Sequence, residues 1–162
     1  MTKVASHRLD PAHYPLKVRI LARYADVDPL WHINNVAIAQ YYEEARVSAN
    51  TQMLDGDRIP MPTGERILIA HQSIDYLHEA SYPGALEVGV GVLRIGNSSY
   101  QFGMGMFQNG LCVSVSDAVM VFADRNGPAR LPDKYRRRLE QWQLSTQHPR
   151  PPQATDAGDT QR

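Results

Sequence analysis

The chain has 162 residues, 43% hydrophobic and 21% charged, a balance typical of one folded domain with a substantial core. Lys plus Arg and Asp plus Glu each number 17, and this net charge of zero argues against a nucleic-acid partner. The single cysteine, Cys112, excludes an intrachain disulfide and fits a reducing compartment. The first ten residues lack the apolar core of a signal peptide, and no apolar run approaches a membrane span. We therefore expect a cytoplasmic protein without membrane association.

Both ends of the chain are predicted to be accessory segments. Residues 1–13 are polar and irregular, which predicts a flexible N-terminal arm. Residues 145–162 have no aliphatic side chain larger than alanine, so this segment cannot bury enough apolar area to offset its ordering entropy. We predict one domain over 14–143 and a disordered tail over 144–162.

The first half of the domain predicts a strand, a polar loop and a long helix. Apolar and charged residues alternate over 15–23, at the period of two that indicates a strand. Apolar residues then recur three or four apart over 35–54, which indicates a helix that ends at Asp55-Gly56. The loop between them has the sequence DVDPLWHINN.

From Ile67 onward the chain alternates at period two almost throughout. The predicted strands, which hairpins join in antiparallel order, are 67–80, 86–95, 98–108 and 111–124. A short C-terminal helix over 131–142 begins with Pro132 in its first turn. A long helix followed by an antiparallel meander must pack its apolar stripe on the sheet, so the predicted fold class is α+β.

Glycines interrupt the apolar pattern of two neighbouring strands. They occur at period two, at Gly89, Gly91, Gly103 and Gly105. Glycine weakens the interior of a strand and marks close approach by another element or by a ligand. We favour the interpretation that the long helix presses on the sheet here, and space for a substrate chain is the alternative. Asp117 falls on an otherwise apolar face, which is an unusual place for a carboxylate.

The loop DVDPLWHINN concentrates groups that can act in acyl transfer. Asn34 or Asn35 is suited to cap the helix, whose first turn has unpaired N–H groups and a partial positive charge. Such a site stabilises a carbonyl oxygen as it becomes negative. Asp28 could act there as general base or nucleophile, and His32 could orient water or exchange protons. Asp-Pro and Asn-Asn are also common turn and cap residues, so turn chemistry alone is the alternative.

Other catalytic motifs are absent from the sequence. It has no Gly-x-Ser-x-Gly elbow, phosphate loop, dinucleotide fingerprint or His-Glu-x-x-His motif. The six histidines lack metal-ligand spacing, and one cysteine cannot form a thiolate zinc site. We therefore expect neither a metal nor a redox cofactor.

The segment RYADVDPLWHINNVAIAQYYEEAR, residues 23–46, resembles the opening motif of hotdog-fold acyl-CoA thioesterases of the 4-hydroxybenzoyl-CoA thioesterase type. Its Asp-x-Asp-x-x-x-His-x-Asn-Asn pattern is also similar to plant acyl-carrier-protein thioesterases. The resemblance continues in order over about 15–142, through a Gly-x-Ser-Ser hairpin and a Leu-Pro helix. It implies a curved antiparallel sheet wrapped around the long helix. It also implies a homodimer with the active site at the dimer interface, and dimers of this family often stack into a dimer of dimers.

The resemblance also implies roles for individual residues. Asp28 matches the catalytic carboxylate, and His32 and Asn35 match the polar pair that assists it. The implied substrate-binding residues are Asn34, Val36, Glu43, Ser98 and Ser99. The alternative role for Glu43 is a structural partner of Arg46, one helical turn away.

Two positions in the loop are expected to behave differently from the catalytic residues. The family usually has glycine immediately before the histidine, which permits unusual backbone angles and close substrate approach. This chain has Trp31 there, which is expected to reshape or narrow the pocket, and a different course of the loop is the alternative. Asp26 is expected to bond its own loop rather than to catalyse.

The combined prediction is an acyl-CoA thioesterase that hydrolyses an acyl-CoA to free acid and coenzyme A. Coenzyme A enters only as part of the substrate, and the lack of a basic dock favours it over acyl carrier protein. One alternative is a hotdog protein that binds acyl-CoA or another acyl ligand without turnover. The other is a hotdog hydratase or dehydratase acting on acyl thioesters.

Overall fold

The structure is a computed structural model that describes residues 4–53 and 64–146. Short 3₁₀ turns cover Ser6–Leu9, Pro11–His13 and Tyr24–Asp26. The strands are β1 (Leu16–Leu21), β2 (Arg66–Tyr76), β3 (Ala85–Ile95), β4 (Ser99–Gln108), β5 (Leu111–Asp124) and β6 (Gly127–Pro128). The helices are α1 (Asn35–Met53) and α2 (Asp133–Gln141). The predicted helix end at Asp55-Gly56 lies outside the described residues, and no helix within them could cross a membrane.

One antiparallel sheet carries the fold. Its strand order is β1-β3-β4-β5-β2, and the short β6 pairs with β5. The β4–β5 hairpin turns at Asn109-Gly110, where both residues have the positive φ that tight hairpins require. The sheet curls around α1, and the core lies between them. The predicted α+β fold, a curved antiparallel sheet around a long helix, is confirmed.

The concave face of the sheet and α1 bury the alternating apolar side chains that the sequence placed in strands. Phe102, Met104 and Met106 of β4 are fully buried there, so they fill the core. Two buried tyrosines satisfy their hydroxyl groups across this interface. The Tyr42 hydroxyl lies 2.7 Å from Ser114 Oγ, and the Tyr100 hydroxyl donates to Asn50 Oδ1 at 2.6 Å.

The four strand glycines lie on the other face of the sheet, so the prediction that α1 presses on them is wrong. Each glycine of β3 opposes a glycine of β4. A Cβ at Gly89 would lie 2.5 Å from Tyr14 Cγ, and a Cβ at Gly105 would lie 2.6 Å from the Tyr14 hydroxyl oxygen. A Cβ at Gly91 would meet Leu144 at 2.9 Å. The glycines therefore form a groove that seats residues from the two ends of the domain.

The flexible arm predicted over 1–13 differs from the structure over its described part, 4–13. Arg8 forms a 2.6 Å ion pair with Asp117 and donates to two backbone carbonyl oxygens of β4 and β5 at 3.2 and 3.0 Å. The Tyr14 hydroxyl donates to the Arg8 carbonyl oxygen at 2.8 Å. Asp117, the carboxylate on the apolar face of β5, thus binds Arg8 and holds the N-terminal segment on the sheet.

The predicted disordered tail over 144–162 begins inside the folded part. Leu144 is buried, and its backbone N–H donates to the Val92 carbonyl oxygen at 3.0 Å. The next residue, Ser145, donates its N–H to the His13 carbonyl oxygen at 3.2 Å. Residues 147–162 lie outside the described residues.

A buried carboxylate anchors the loop that precedes α1. Asp26 is 3% exposed and accepts hydrogen bonds from the Arg23 backbone N–H (2.9 Å), Nε (3.1 Å) and Nη2 (2.7 Å). It also accepts from the Tyr41 hydroxyl of α1 at 2.5 Å, and its carbonyl oxygen accepts from the Asn34 N–H at 2.9 Å. The hydrogen bonds from Arg23 are the main cause that holds the pKa of Asp26 well below its usual range. Asp26 bonds its own loop, as predicted, and ties both ends of that loop to the helix.

The glycine groove predicts a cost for a single methyl group. Gly89→Ala places its Cβ against Tyr14, and we expect the free energy of unfolding to fall by about 1–3 kcal/mol in urea titrations. The same substitution in a Tyr14→Gly background removes the clashing ring, so the penalty should largely disappear. An equal penalty in both backgrounds would mean that the arm is not the cause.

The Asp26 anchor predicts a pH-dependent stability. Asp26→Asn should lower the free energy of unfolding at pH 7 by about 2 kcal/mol, because a charged acceptor of several hydrogen bonds is lost. The folded pKa is depressed, so this contribution is present above the unfolded pKa of about 3.9 and is lost as the pH falls below it.

Urea unfolding at a series of pH values measures this effect. The difference between wild type and variant should shrink below about pH 4. Glu44→Gln, which neutralises an exposed carboxylate of α1, is the matched control and should change little at any pH. A difference that stays constant down to pH 3 would contradict an ionic role for Asp26.

Candidate active site

A cleft of about 290 Å³ opens at the N-terminus of α1. The loop and the first turns of the helix form one wall, and residues 76–80, from the end of β2 onward, form the other. Asp28, His32 and Asn35 all line it. The three residues predicted to be catalytic therefore share one cavity, which we call the helix cleft.

The Asp28 carboxylate is half-buried in a turn that it holds itself. Its Oδ1 accepts from the backbone N–H groups of Leu30 at 2.8 Å and His32 at 3.2 Å. Its backbone N–H donates to the His32 carbonyl oxygen at 2.8 Å. No group in the described part of the chain hydrogen-bonds to Oδ2. The hydrogen bonds of the turn thus use Oδ1 and fix the carboxylate, while Oδ2 stays available to a ligand or to water.

Trp31 sits in this turn with a φ of 66°. A bulky residue with positive φ is an outlier, and the conformation costs roughly 1–2 kcal/mol for a residue with a Cβ. Its backbone N–H donates to the Asp28 carbonyl oxygen at 3.0 Å, which helps to hold the strained turn. The backbone here has the conformation that glycine adopts freely, although the residue is tryptophan. The indole is 68% exposed.

The His32 ring is oriented by a carboxylate that the sequence did not single out. Nε2 lies 3.1 Å from Glu79 Oε2, on the segment after β2. A carboxylate at this distance accepts the Nε2–H, which leaves Nδ1 as an acceptor when the ring is neutral. The backbone supports the pairing, because the Ile33 N–H donates to the Ala80 carbonyl oxygen at 2.8 Å. The only signal in the sequence is the His78-Glu79 pair near the end of the strand predicted over 67–80, which in the structure ends at Tyr76.

The first turn of α1 presents unpaired amides. Asn34 is the cap, since its Oδ1 accepts the Ala37 N–H at 2.8 Å. The backbone N–H groups of Asn35 and Val36 have no partner within the residues that the structure describes, and both residues are exposed. Together with the helix dipole they attract a negatively charged oxygen. The side chain of Asn34 is thus occupied by capping, and of these three residues only Asn35 lines the helix cleft.

None of the five predicted substrate-binding residues lines the helix cleft in a single chain. Asn34 and Val36 flank the cleft residue Asn35, and the other three lie farther away. Glu43 is exposed on α1, about 12 Å along the axis from the first turn. Arg46 hydrogen-bonds to Gln72 Oε1 at 3.0 Å, and no ion pair between Arg46 and Glu43 is found among the described residues. Ser98 lies in the turn between β3 and β4 and Ser99 begins β4, and their carbonyl oxygens accept backbone hydrogen bonds.

Cysteine chemistry finds no support in the structure. Burial raises the pKa of the Cys112 thiol to about 11, so the group is protonated and weakly nucleophilic near neutral pH. In the ranges 4–53 and 64–146, no three His, Cys, Asp or Glu side chains are grouped closely enough to hold a metal ion.

Comparison with solved structures supports the fold. The PA5185 protein of Pseudomonas aeruginosa strain PAO1 is 29% identical, with a TM-score of 0.74 over 86% of this chain and 99% of its own. A thioesterase of Thermus thermophilus, solved in complex with coenzyme A and zinc, is 27% identical, with a TM-score of 0.69 over 80% and 95% of the two chains. The DHNA-CoA thioesterase of Staphylococcus aureus has a TM-score of 0.69 over 77% and 88%, and at 17% identity it shows the fold alone.

A search of curated proteins gave no significant match. The family model of the thioesterase-like superfamily matches residues 22–139, which is most of the chain and includes the whole helix cleft. The resemblance predicted from the loop and the strands is therefore confirmed. The chain belongs to the thioesterase-like superfamily and has the hotdog fold.

Proposed function

We propose that the protein is an acyl-CoA thioesterase that cleaves its substrate in the helix cleft. The observation that carries the proposal is the meeting of two groups in one cavity. Asp28, a fixed carboxylate with a free oxygen, lines the cleft together with Asn35, whose backbone N–H is unpaired in the first turn of α1. Family membership supports thioester hydrolysis. The coenzyme A bound to the 27%-identical Thermus thermophilus thioesterase supports coenzyme A as the carrier.

The reaction follows from the charges on the two sides of the cleft. Asp28 Oδ2 takes a proton from a water molecule, and the oxygen of that water molecule attacks the thioester carbon. The carbonyl oxygen becomes negative and is stabilised by the backbone amide of Asn35 and the positive end of the α1 dipole. The C–S bond then breaks, and the coenzyme A thiolate receives the proton that Asp28 holds. Direct attack by Asp28, followed by hydrolysis of the mixed anhydride, uses the same groups and gives the same products.

His32 has a supporting role in this proposal. Glu79 holds its Nε2–H, so Nδ1 can accept a hydrogen bond from the attacking water or from a polar group of the substrate. Asn35 also lines the cleft and can hydrogen-bond to the same water or substrate groups.

We also propose a homodimer formed by the edge of β2. This strand ends the sheet order, is 11 residues long and leaves apolar residues exposed, with Leu68 at 44%, Ile69 at 46% and Tyr76 at 45%. A long apolar edge with unpaired backbone groups favours pairing with a second chain. Because the end of β2 walls the helix cleft, a partner at this edge would lie next to the site. Only from such a partner could Ser98, Ser99 or Glu43 reach substrate.

Stacking of dimers and the cytoplasmic location remain predictions from the sequence. The 4-hydroxybenzoyl-CoA branch of the family is likewise a prediction.

Asp28→Asn tests the chemistry without removing the turn. The amide oxygen of asparagine can still accept the two backbone hydrogen bonds, so the fold should persist while the base is lost. We expect kcat for thiol release from acyl-CoAs to fall by about 10²–10⁴-fold. Glu140→Gln, an exposed carboxylate on α2, is the control and should keep wild-type activity.

The same assay separates the alternatives. A folded wild type that binds acyl-CoA and releases no thiol would sink the hydrolase proposal and favour an acyl-binding protein. Hydration of an enoyl-CoA in place of thiol release would favour a hydratase. Full activity in Asp28→Asn would move the chemistry away from this loop.

The dimer proposal predicts that a charge at the β2 edge dissociates the protein. Ile69→Lys would put a positive charge on this edge in both chains, and light scattering should give the monomer mass instead of the dimer mass. Thiol release should fall with the loss of the dimer. Val47→Lys, which charges an exposed position of α1, should remain a dimer. A wild type that is monomeric and active would contradict the proposal.

A further inference from the structure

A second cavity, separate from the helix cleft, is also bordered by Asp28. It has a volume of about 420 Å³. Its lining consists of Asp28 and five neighbours from the same loop, Tyr24, Ala25, Val27, Pro29 and Trp31. Among the described residues, Asp28 is the one that lines both cavities. Asp28, which carries the free carboxylate oxygen, therefore lies where the two cavities meet.

The two cavities differ in chemistry. The helix cleft has several hydrogen-bonding side chains, among them His32, His78 and Glu79, beside apolar ones such as Ile33 and Leu77. The second cavity has no charged group except Asp28, and its other walls are apolar or aromatic. A thioester also has two unlike arms on either side of its carbonyl carbon. The acyl group is apolar, whereas the pantetheine arm of coenzyme A carries two amides that need hydrogen-bond partners.

We propose that the second cavity is the acyl subsite, that it takes an apolar acyl group, and that Trp31 is the wall that limits the length of this group. The inference rests on the proposed function, because the acyl group lies here only if the thioester carbon is held at Asp28. The pantetheine arm then occupies the helix cleft.

The conformation of Trp31 supports a ligand-contacting role. A large apolar side chain is held at positive φ and is still 68% exposed, so the folded chain gains little burial in return for the strain. An apolar acyl group placed against the indole would cover this surface. Leu30 is the contrasting neighbour. It is 73% exposed on the same turn and does not line either cavity.

A chain-length series tests the wall. Wild type, Trp31→Gly and Leu30→Ala are assayed for thiol release from straight-chain acyl-CoAs, from acetyl-CoA to lauroyl-CoA. Glycine adopts the required φ without strain, so Trp31→Gly should fold. We expect the ratio of kcat/KM for lauroyl-CoA over acetyl-CoA to rise at least about tenfold in Trp31→Gly. The ratio should stay within about twofold of wild type in Leu30→Ala, and Trp31→Phe should keep the wild-type order.

Fluorescence tests the contact without catalysis. The chain has two tryptophans, so Trp142→Phe leaves Trp31 as the only one. Addition of S-dodecyl-CoA, a thioether that cannot be hydrolysed, should shift the Trp31 emission to shorter wavelength as the alkyl chain covers the indole. Coenzyme A alone should leave the Trp31 emission unchanged. An unchanged emission would overturn the acyl subsite. So would a shift that follows protein concentration rather than thioether, because a second copy of the chain would then cover Trp31.

The outcomes separate this inference from the function on which it rests. A wild type that hydrolyses acyl-CoAs while Trp31→Gly leaves the chain-length order unchanged overturns the acyl subsite alone. A wild type that releases no thiol from any acyl-CoA overturns the proposed function, and this inference falls with it.

Discussion

The buried carboxylate of Asp26 is the interaction on which the rest of the site depends. It connects the end of β1, through Arg23, to the body of α1, through Tyr41. Its own backbone carbonyl receives the Asn34 N–H at the start of the helix. The residues between Asp26 and Asn34 are therefore a closed loop with both ends fixed. Asp28 and His32 gain defined positions because this loop cannot drift relative to the helix.

Two carboxylates only two residues apart have opposite functions in this loop. Asp26 is saturated with donors, so its charge is compensated and its pKa is depressed. Asp28 spends one oxygen on its own turn and has no described partner for the other. The difference follows from burial and from the reach of Arg23 and Tyr41, which contact only the first carboxylate. A saturated carboxylate gives stability, and a half-saturated one can give chemistry.

Local sequence patterns predicted the fold and most of the loop well. Alternation at period two located the strands, the spacing of three and four located α1, and the loop residues indicated the cleft at its N-terminus. These signals arise from short-range geometry. Glu79 beside His32 and Arg8 on Asp117 were missed because each pair joins distant parts of the chain. The glycines were recognised as a close approach, yet nothing local shows which face of the sheet is approached, or by what.

The seating of the arm in the glycine groove has a consequence for the limits of the folded unit. Tyr14 and Leu144 fill a channel that β3 and β4 leave without side chains, and Arg8 neutralises a carboxylate beside it. A chain shortened to begin after Tyr14 would leave the part of this channel along Gly89 and Gly105 empty and Asp117 without its cation. Such a chain would expose an apolar groove to water beside a carboxylate without an ion-pair partner. The terminal segments that look dispensable in the sequence thus pack on the sheet and belong to the folded domain.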